Sequence, residues 1–284
     1  MNMKSLYSWT KIPLFSTIAI SILISGCKGP QEVETHWSEK PIQVDGHMTD
    51  WAGIPTTFFE ESAVQLGLAN DSEKLHILFR FSNEMWARLI RMGGLTLWVD
   101  RSGEKKKEFG LRYTGGPSLS ELQDRGTGGE GGFLDRLTEE QKERLRQRET
   151  QTDQITVVDK NNNPIEDLPV NGSKGPAVAF ADLKGIYTYE FSIPLQKSDL
   201  ATYGIDAQPG QAIGLGLEWG LSDEDRQRMM KDMGGGPPRG GMGGSPPGGD
   251  MGGRGGDRGG FGGGPRPQMP RKQEVWVKTV LASP

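Results

Sequence analysis

Three groups of residues have types and spacings that could support chemistry. Cys27 is the only cysteine in the 284-residue chain, and it follows Ile24-Ser25-Gly26 at the end of the apolar run Ile12–Ile24, with Lys4 and Lys11 upstream. That order looks like a bacterial lipobox, in which the cysteine thiol is acylated and the preceding segment removed. One thiol cannot form a disulfide within its own chain, so acylation is the chemistry this position predicts. The run is short for a membrane span, and a multiply acylated cysteine is a strong anchor because each buried methylene contributes about 0.8 kcal/mol. The second group is Asp159, Asn161, Asn163 and Asp167, whose oxygens alternate as in calcium loops. Pro164 stands where such a loop needs glycine and no glutamate closes it, so a hairpin turn is the competing reading. The third group is the pair Glu190 and Glu218, two carboxylates of the kind a glycosidase needs, with no feature that sets their separation.

Other chemistries find less support. His36, His47 and His76 have no metal-ligand spacing. A haem needs axial ligands such as His and Met; His47 and Met48 are adjacent and cannot reach opposite faces, which leaves His76 with Met85. Phosphate-binding, dinucleotide-binding and nucleophile-elbow motifs are absent, and the chain reads as a non-enzyme. With 33 basic and 37 acidic residues the chain is mildly acidic, more so once the leader is gone, which disfavours nucleic acid and anionic lipid surfaces.

The elements that must position these residues are mostly strands. Ala63–Ala69 reads as a strand ending in the turn Asn70–Lys74, and Leu75, Ile77, Phe79 and Phe81 alternate with His76, Leu78, Arg80 and Ser82 to complete a hairpin. Leu95, Leu97 and Val99 alternate with Thr96, Trp98 and Asp100. Tyr187, Tyr189, Phe191 and Ile193 alternate with Thr188, Glu190 and Ser192. Ile213, Leu215, Leu217 and Trp219 alternate with Ala212, Gly214, Gly216 and Glu218, and Val275, Val277 and Leu281 oppose Trp276 and Lys278. Pro41–Gly46 reads as a short strand turning at Asp45-Gly46. Many short strands with Gly/Pro turns predict an all-β sandwich of immunoglobulin-like or jelly-roll type. A surface helix is expected near 133–150, where Thr138 and Gln141 have capping-box spacing.

The expected organisation is a leader over 1–26, a tether over 27–36 and one sandwich over 37–284. The 42 glycines concentrate between Gly234 and Gly264. This low-complexity stretch, 234–271, cannot bury enough apolar surface to offset its ordering entropy, so it is expected to be a disordered loop before a final strand at 274–281. Its Arg-Gly-Gly pieces resemble RNA-binding tails, but Asp250 and Asp257 dilute the charge and the predicted compartment holds no RNA.

Several pieces occur together in order: Ile42-Gln43-Val44-Asp45-Gly46, Asp50-Trp51-Ala52, Asn70-Asp71 before Leu75-His76-Ile77, Leu97-Trp98-Val99-Asp100, Tyr189-Glu190-Phe191-Ser192-Ile193-Pro194-Leu195, and Pro209-Gly210 before Ala212. The chain thereby resembles the carbohydrate-binding module family 9-like domain, a β-sandwich related to the DOMON superfamily, over roughly 37–225 and 273–284. The resemblance implies a non-catalytic sugar-binding module in which two tryptophans clamp a terminal sugar; some DOMON relatives bind haem instead. Trp86, Trp98 and Trp276 are the candidates for the clamp, with Arg80, Asp100, Glu190 and Glu218 as the polar set, and Gly214 and Gly216 leaving that face open. The competing reading packs Trp98 and Trp276 beneath the inserted helix and pairs Arg80 with Glu190. The expected protein is a lipid-anchored outer-membrane binding protein facing periplasm or cell exterior, without a required cofactor and with calcium as the weak option. A structural or assembly lipoprotein contacting a protein partner through its glycine-rich loop is the alternative, followed by a haem-binding electron-transfer module.

Overall fold

The computed structural model describes residues 29–116, 139, 153–199, 201–222, 227 and 271–284. In chain order the elements are β1 (Gln31–Glu32), β2 (His36–Trp37), β3 (Thr56–Phe59), β4 (Val64–Asn70), β5 (Lys74–Phe81), α1 (Glu84–Gly93), β6 (Leu95–Asp100), β7 (Phe109–Thr114), β8 (Gln154–Val158), β9 (Pro164–Pro169), β10 (Ala177–Leu183), β11 (Ile186–Pro194), β12 (Ala212–Trp219) and β13 (Gln273–Val280). The strands form two sheets packed as a sandwich. The first runs β1-β13-β12-β6-β7-β8-β9; the second runs β10-β11-β5-β4-β2, with β3 also paired to β4.

The period-2 patterns set which side of each strand faces inward. Leu75, Ile77, Phe79 and Phe81 of β5 meet Leu95, Leu97 and Val99 of β6, Tyr187 to Ile193 of β11 and Ile213 to Trp219 of β12 in one core. Each such side chain contributes roughly 1.5–3 kcal/mol on burial. Expected half-burial of β5 gives way to burial on both faces, because Ile42, Trp51, Met48 and Ile54 pack on Leu78 and Ala69 from outside.

Several expected boundaries move. Residues 41–46 form no strand; Gly46 turns the chain at φ 79° and the segment lies against Phe180 and Ala181 of β10. The expected tether is partly integrated into the fold: β1 pairs in parallel with β13, β2 in parallel with β4, and Val33 is buried in the core. The final strand starts at Gln273, and Leu281 follows it as a core residue. The helix expected near 133–150, apart from Glu139, and the loop expected over 234–271, apart from Arg271, lie outside the described residues. A helix absent from the sequence reading, α1, follows β5; Asn83 caps it by accepting from the Trp86 N–H, Glu84 pairs with Arg88 one turn on, and Ala87, Leu89 and Ile90 are buried.

Candidate functional site

The outer face of the first sheet carries two tryptophans that sit out of phase with the core. Cross-strand register places Trp276, Gly216, Trp98, Gly110 and Val158 side by side on five successive strands. Each indole lies over the glycine of a neighbouring strand: a Cβ on Gly216 would stand 2.6 Å from Trp276 Cε2, and one on Gly110 would stand 2.9 Å from Trp98 Cε3. The glycines are thus filled by indoles. Gly216 leaves no open face for a ligand, and at Gly214 the space is taken by the carbonyl of Glu104. Trp98 is 0% and Trp276 6% exposed. The competing reading put an inserted helix over both indoles; among the described residues it is Lys107, on the β6–β7 connection 101–108, that lies over Trp98.

Asp100 holds that connection in place. Its carboxylate accepts from the Ser102 N–H at 2.8 Å, the Ser102 hydroxyl at 2.6 Å and the Lys106 N–H at 3.0 Å. Burial alone would raise its carboxyl, and these donors outweigh burial and bring it below the ordinary range. So Asp100 is spent on shaping the strap. The strap sets Lys107 Nζ 4.8 Å above the Trp98 ring, a cation–π contact, while the same ammonium pairs with Glu218 Oε2. Lys272 meets Glu218 Oε1 at 2.6 Å and Lys105 meets Glu274 Oε1 at 2.6 Å. Burial would raise Glu274, but the Lys105 ammonium beside it holds it below its ordinary value. Glu218 is 5% exposed and Lys107 30%, so a buried carboxylate lies under half-exposed ammoniums. Lys105, Lys107, Lys272 and Glu274 were not among the expected site residues; the run Lys105-Lys106-Lys107 between two strands is the signal that points to the first two.

The remaining candidates lie elsewhere. Glu190 and Arg80 belong to the second sheet, so Glu190 and Glu218 face outward on opposite sides of the sandwich and cannot act as a glycosidase pair. Glu190 accepts from the Asp45 N–H at 3.0 Å, the Gly46 N–H at 2.6 Å and the Trp51 indole N–H. Burial raises its carboxyl above the ordinary value against the pull of these donors. It pairs across the strands with Leu78, while Arg80 stands opposite Thr188, one row away, and the Arg80–Glu190 pair of the competing reading does not form. Trp86, on α1, packs edge-on against Trp219 and Phe81 at the end of the core, remote in role from Trp98 and Trp276.

The calcium candidate is occupied by its own chain. Asp159 Oδ1 accepts from the Asn161 and Asn163 N–H groups and Oδ2 from the Asn163 side chain, which makes a hairpin turn. Asp167 accepts from the Thr156 hydroxyl on the neighbouring strand. Among the described residues no group of three His, Cys, Asp or Glu side chains could hold a metal ion. His76 lies near the start of β5 and Met85 on α1 beyond its far end, with about 17 Å of extended chain from His76 to Phe81, so the two do not come together on one haem. Cys27 lies outside the described residues.

Neither a protein-family profile nor a curated protein matches the chain. Among solved structures it is similar to a carbohydrate-binding module family 9 domain from Caldicellulosiruptor kristjanssonii in complex with glucose, at 12% identity and TM-score 0.34, covering 68% of this chain and 80% of that one. The same kind of module in complex with cellotriose is similar at 12% identity and TM-score 0.33, covering 66% and 76%. At this distance the ligand has to be read from the chain's own side chains.

Proposed function

We propose that this is a non-catalytic, extracytoplasmic protein, anchored to the outer membrane by acylated Cys27, which binds carbohydrate on the outer face of its first sheet. The observation that carries the reading is the convergence of Lys105, Lys107 and Lys272 with Glu218 and Glu274 beside the indoles of Trp98 and Trp276. Alternating fixed donors and acceptors suit vicinal hydroxyls, and an indole face suits the C–H side of a pyranose. Trp98 itself is sealed by the strap, so the ligand would meet the half-exposed charged rim and the rim of Trp276.

A glycan array followed by calorimetry tests this. Glu274→Gln, which removes the rim carboxylate's charge and turns one of its two acceptor oxygens into a donor while leaving buried Glu218 in place, should weaken the best saccharide about tenfold. An array without hits, or a folded Glu274→Gln protein with wild-type affinity, rejects the site. Anchoring is tested separately: Cys27→Ser should leave the protein in the soluble fraction or as an unprocessed precursor, and normal processing with retention on membranes would contradict it.

A further inference from the structure

The second sheet presents a different surface on the opposite side of the molecule. Phe58, Gln65, Arg80, Thr188 and Ala181 are successive register partners across β3, β4, β5, β11 and β10, so they form one row on its outer face. The cover of Ile42 and Trp51 sits over the adjacent rows, on Leu78 and Ala69. Phe58 is 60% exposed. Arg80 is half-buried on the central strand, its Nε is shielded from solvent without a hydrogen-bond partner, and no carboxylate among the described residues pairs with it. The nearest acid by register, Glu190 in the next row, already accepts three N–H donors. An arginine held on a rigid strand with a desolvated, unmet donor is pre-organised for an anion supplied from outside.

We propose that this row is a second binding site, which takes a carboxylate carried on a compact ring, as in a uronic acid residue of an acidic glycan. The guanidinium would hold the carboxylate through its terminal N–H groups, and Phe58, two strands or about 10 Å from Arg80, would pack against the C–H face of the adjoining sugar. Gln65 lies between them, its amide already donating to the Thr56 hydroxyl at 2.5 Å, which fixes it as the floor of the site. The choice of a saccharide over other carboxylates rests on the carbohydrate-binding reading above; the site itself rests on Arg80.

The test is calorimetry with an oligogalacturonate, with a neutral cello-oligosaccharide of equal length and poly-glutamate as comparisons. Arg80→Gln should weaken oligogalacturonate about 10- to 100-fold, and Arg80→Lys should recover only part of it, because the ammonium keeps the charge and loses the two-pronged geometry. Phe58→Ala should weaken it by less. Circular dichroism establishes that each variant is folded. Wild-type affinity in folded Arg80→Gln, or no oligogalacturonate binding by wild type, overturns the proposal even when a neutral glycan binds the first sheet. Equal binding of poly-glutamate overturns the acidic-sugar assignment, since it would show that charge alone is read.

Discussion

The indole N–H of Trp51 donates to Oε1 of Glu190, a residue 139 positions away on the central part of the second sheet. The other oxygen of the same carboxylate takes the N–H groups of Asp45 and Gly46. One buried side chain therefore ties down the whole segment that covers this sheet, and Trp51 in turn lies on Gly67, 3.1 Å from where its Cβ would be.

Trp51→Phe keeps the ring on Gly67 and leaves Glu190 one donor short. It should cost about 1–3 kcal/mol of unfolding free energy. Glu190→Ala should cost more, since three donors lose their acceptor, and the double variant should fall short of the sum. Urea unfolding of the four proteins measures the coupling. Strict additivity would mean that the contact holds nothing together.

A second prediction follows from the indole-on-glycine packing of the first sheet. Gly216→Ala should destabilise by about 1–3 kcal/mol, because its methyl would meet Trp276 Cε2 at 2.6 Å. In a Trp276→Ala background the same change should be neutral or stabilising, since alanine in a strand loses less backbone entropy than glycine. A similar penalty in both backgrounds would locate the strain somewhere other than the indole.

How much of this was legible in the sequence depends on what kind of contact was involved. The inward sides of β5, β6, β11 and β12 were readable because alternation is local, and so was the outward placement of Trp98 and Trp276. Which glycine each indole covers was not, because register between distant strands sets it: Trp276 finds Gly216 and Trp98 finds Gly110. The polar set was split for the same reason. Glu190 and Arg80 share an outward phase with Glu218 and Asp100, but phase alone does not say to which sheet a strand belongs. The helix α1 was missed although Asn83 and the Glu84/Arg88 spacing signal it, because ten residues between two strong strands read as their connection. The tether was misjudged because β1 and β2 are two residues each, and only pairing with β13 and β4 makes them strands.

His76 makes the stability depend on pH. It is buried, its nitrogens have no hydrogen-bond partner, and Asp71 Oδ2 stands 3.7 Å from Nε2. Burial lowers its pKa below the ordinary value, with Asp71 opposing and Lys74 assisting. As pH falls through about 6.5 the unfolded chain therefore takes up the proton first, and stability declines until the folded-state value is reached, where the loss levels off. Above about 6.5 this residue contributes no slope. His76→Leu should flatten the decline in urea midpoints between neutral pH and the folded-state value, and an unchanged slope would assign it to other groups.

The last prediction concerns chain closure. β13 lies between β1 and β12, Trp219 of β12 is the register partner of Gln273, and Leu221 bridges Arg271, so the chain leaves and re-enters the sheet at adjoining points. Replacing 234–270 with a short Gly/Ser linker should therefore keep the sandwich folded and change its stability by no more than about 1 kcal/mol, since loop-closure entropy varies only with the logarithm of length. Truncation before Gln273 should be far more damaging. It removes Val275, Val277 and Leu281 from the core at roughly 1.5–3 kcal/mol each. It also removes Ala282, whose N–H donates to Asn70 Oδ1 at 2.7 Å and whose carbonyl accepts from Asn70 Nδ2 at 3.0 Å, the clasp between the C-terminal tail and the β4–β5 hairpin of the other sheet. Those losses together match the whole stability of a typical domain, so the truncated chain should not fold. Thermal melts of the two proteins decide it: a linker variant that unfolds, or a truncated chain that melts with wild type, would show that β13 does not close the first sheet.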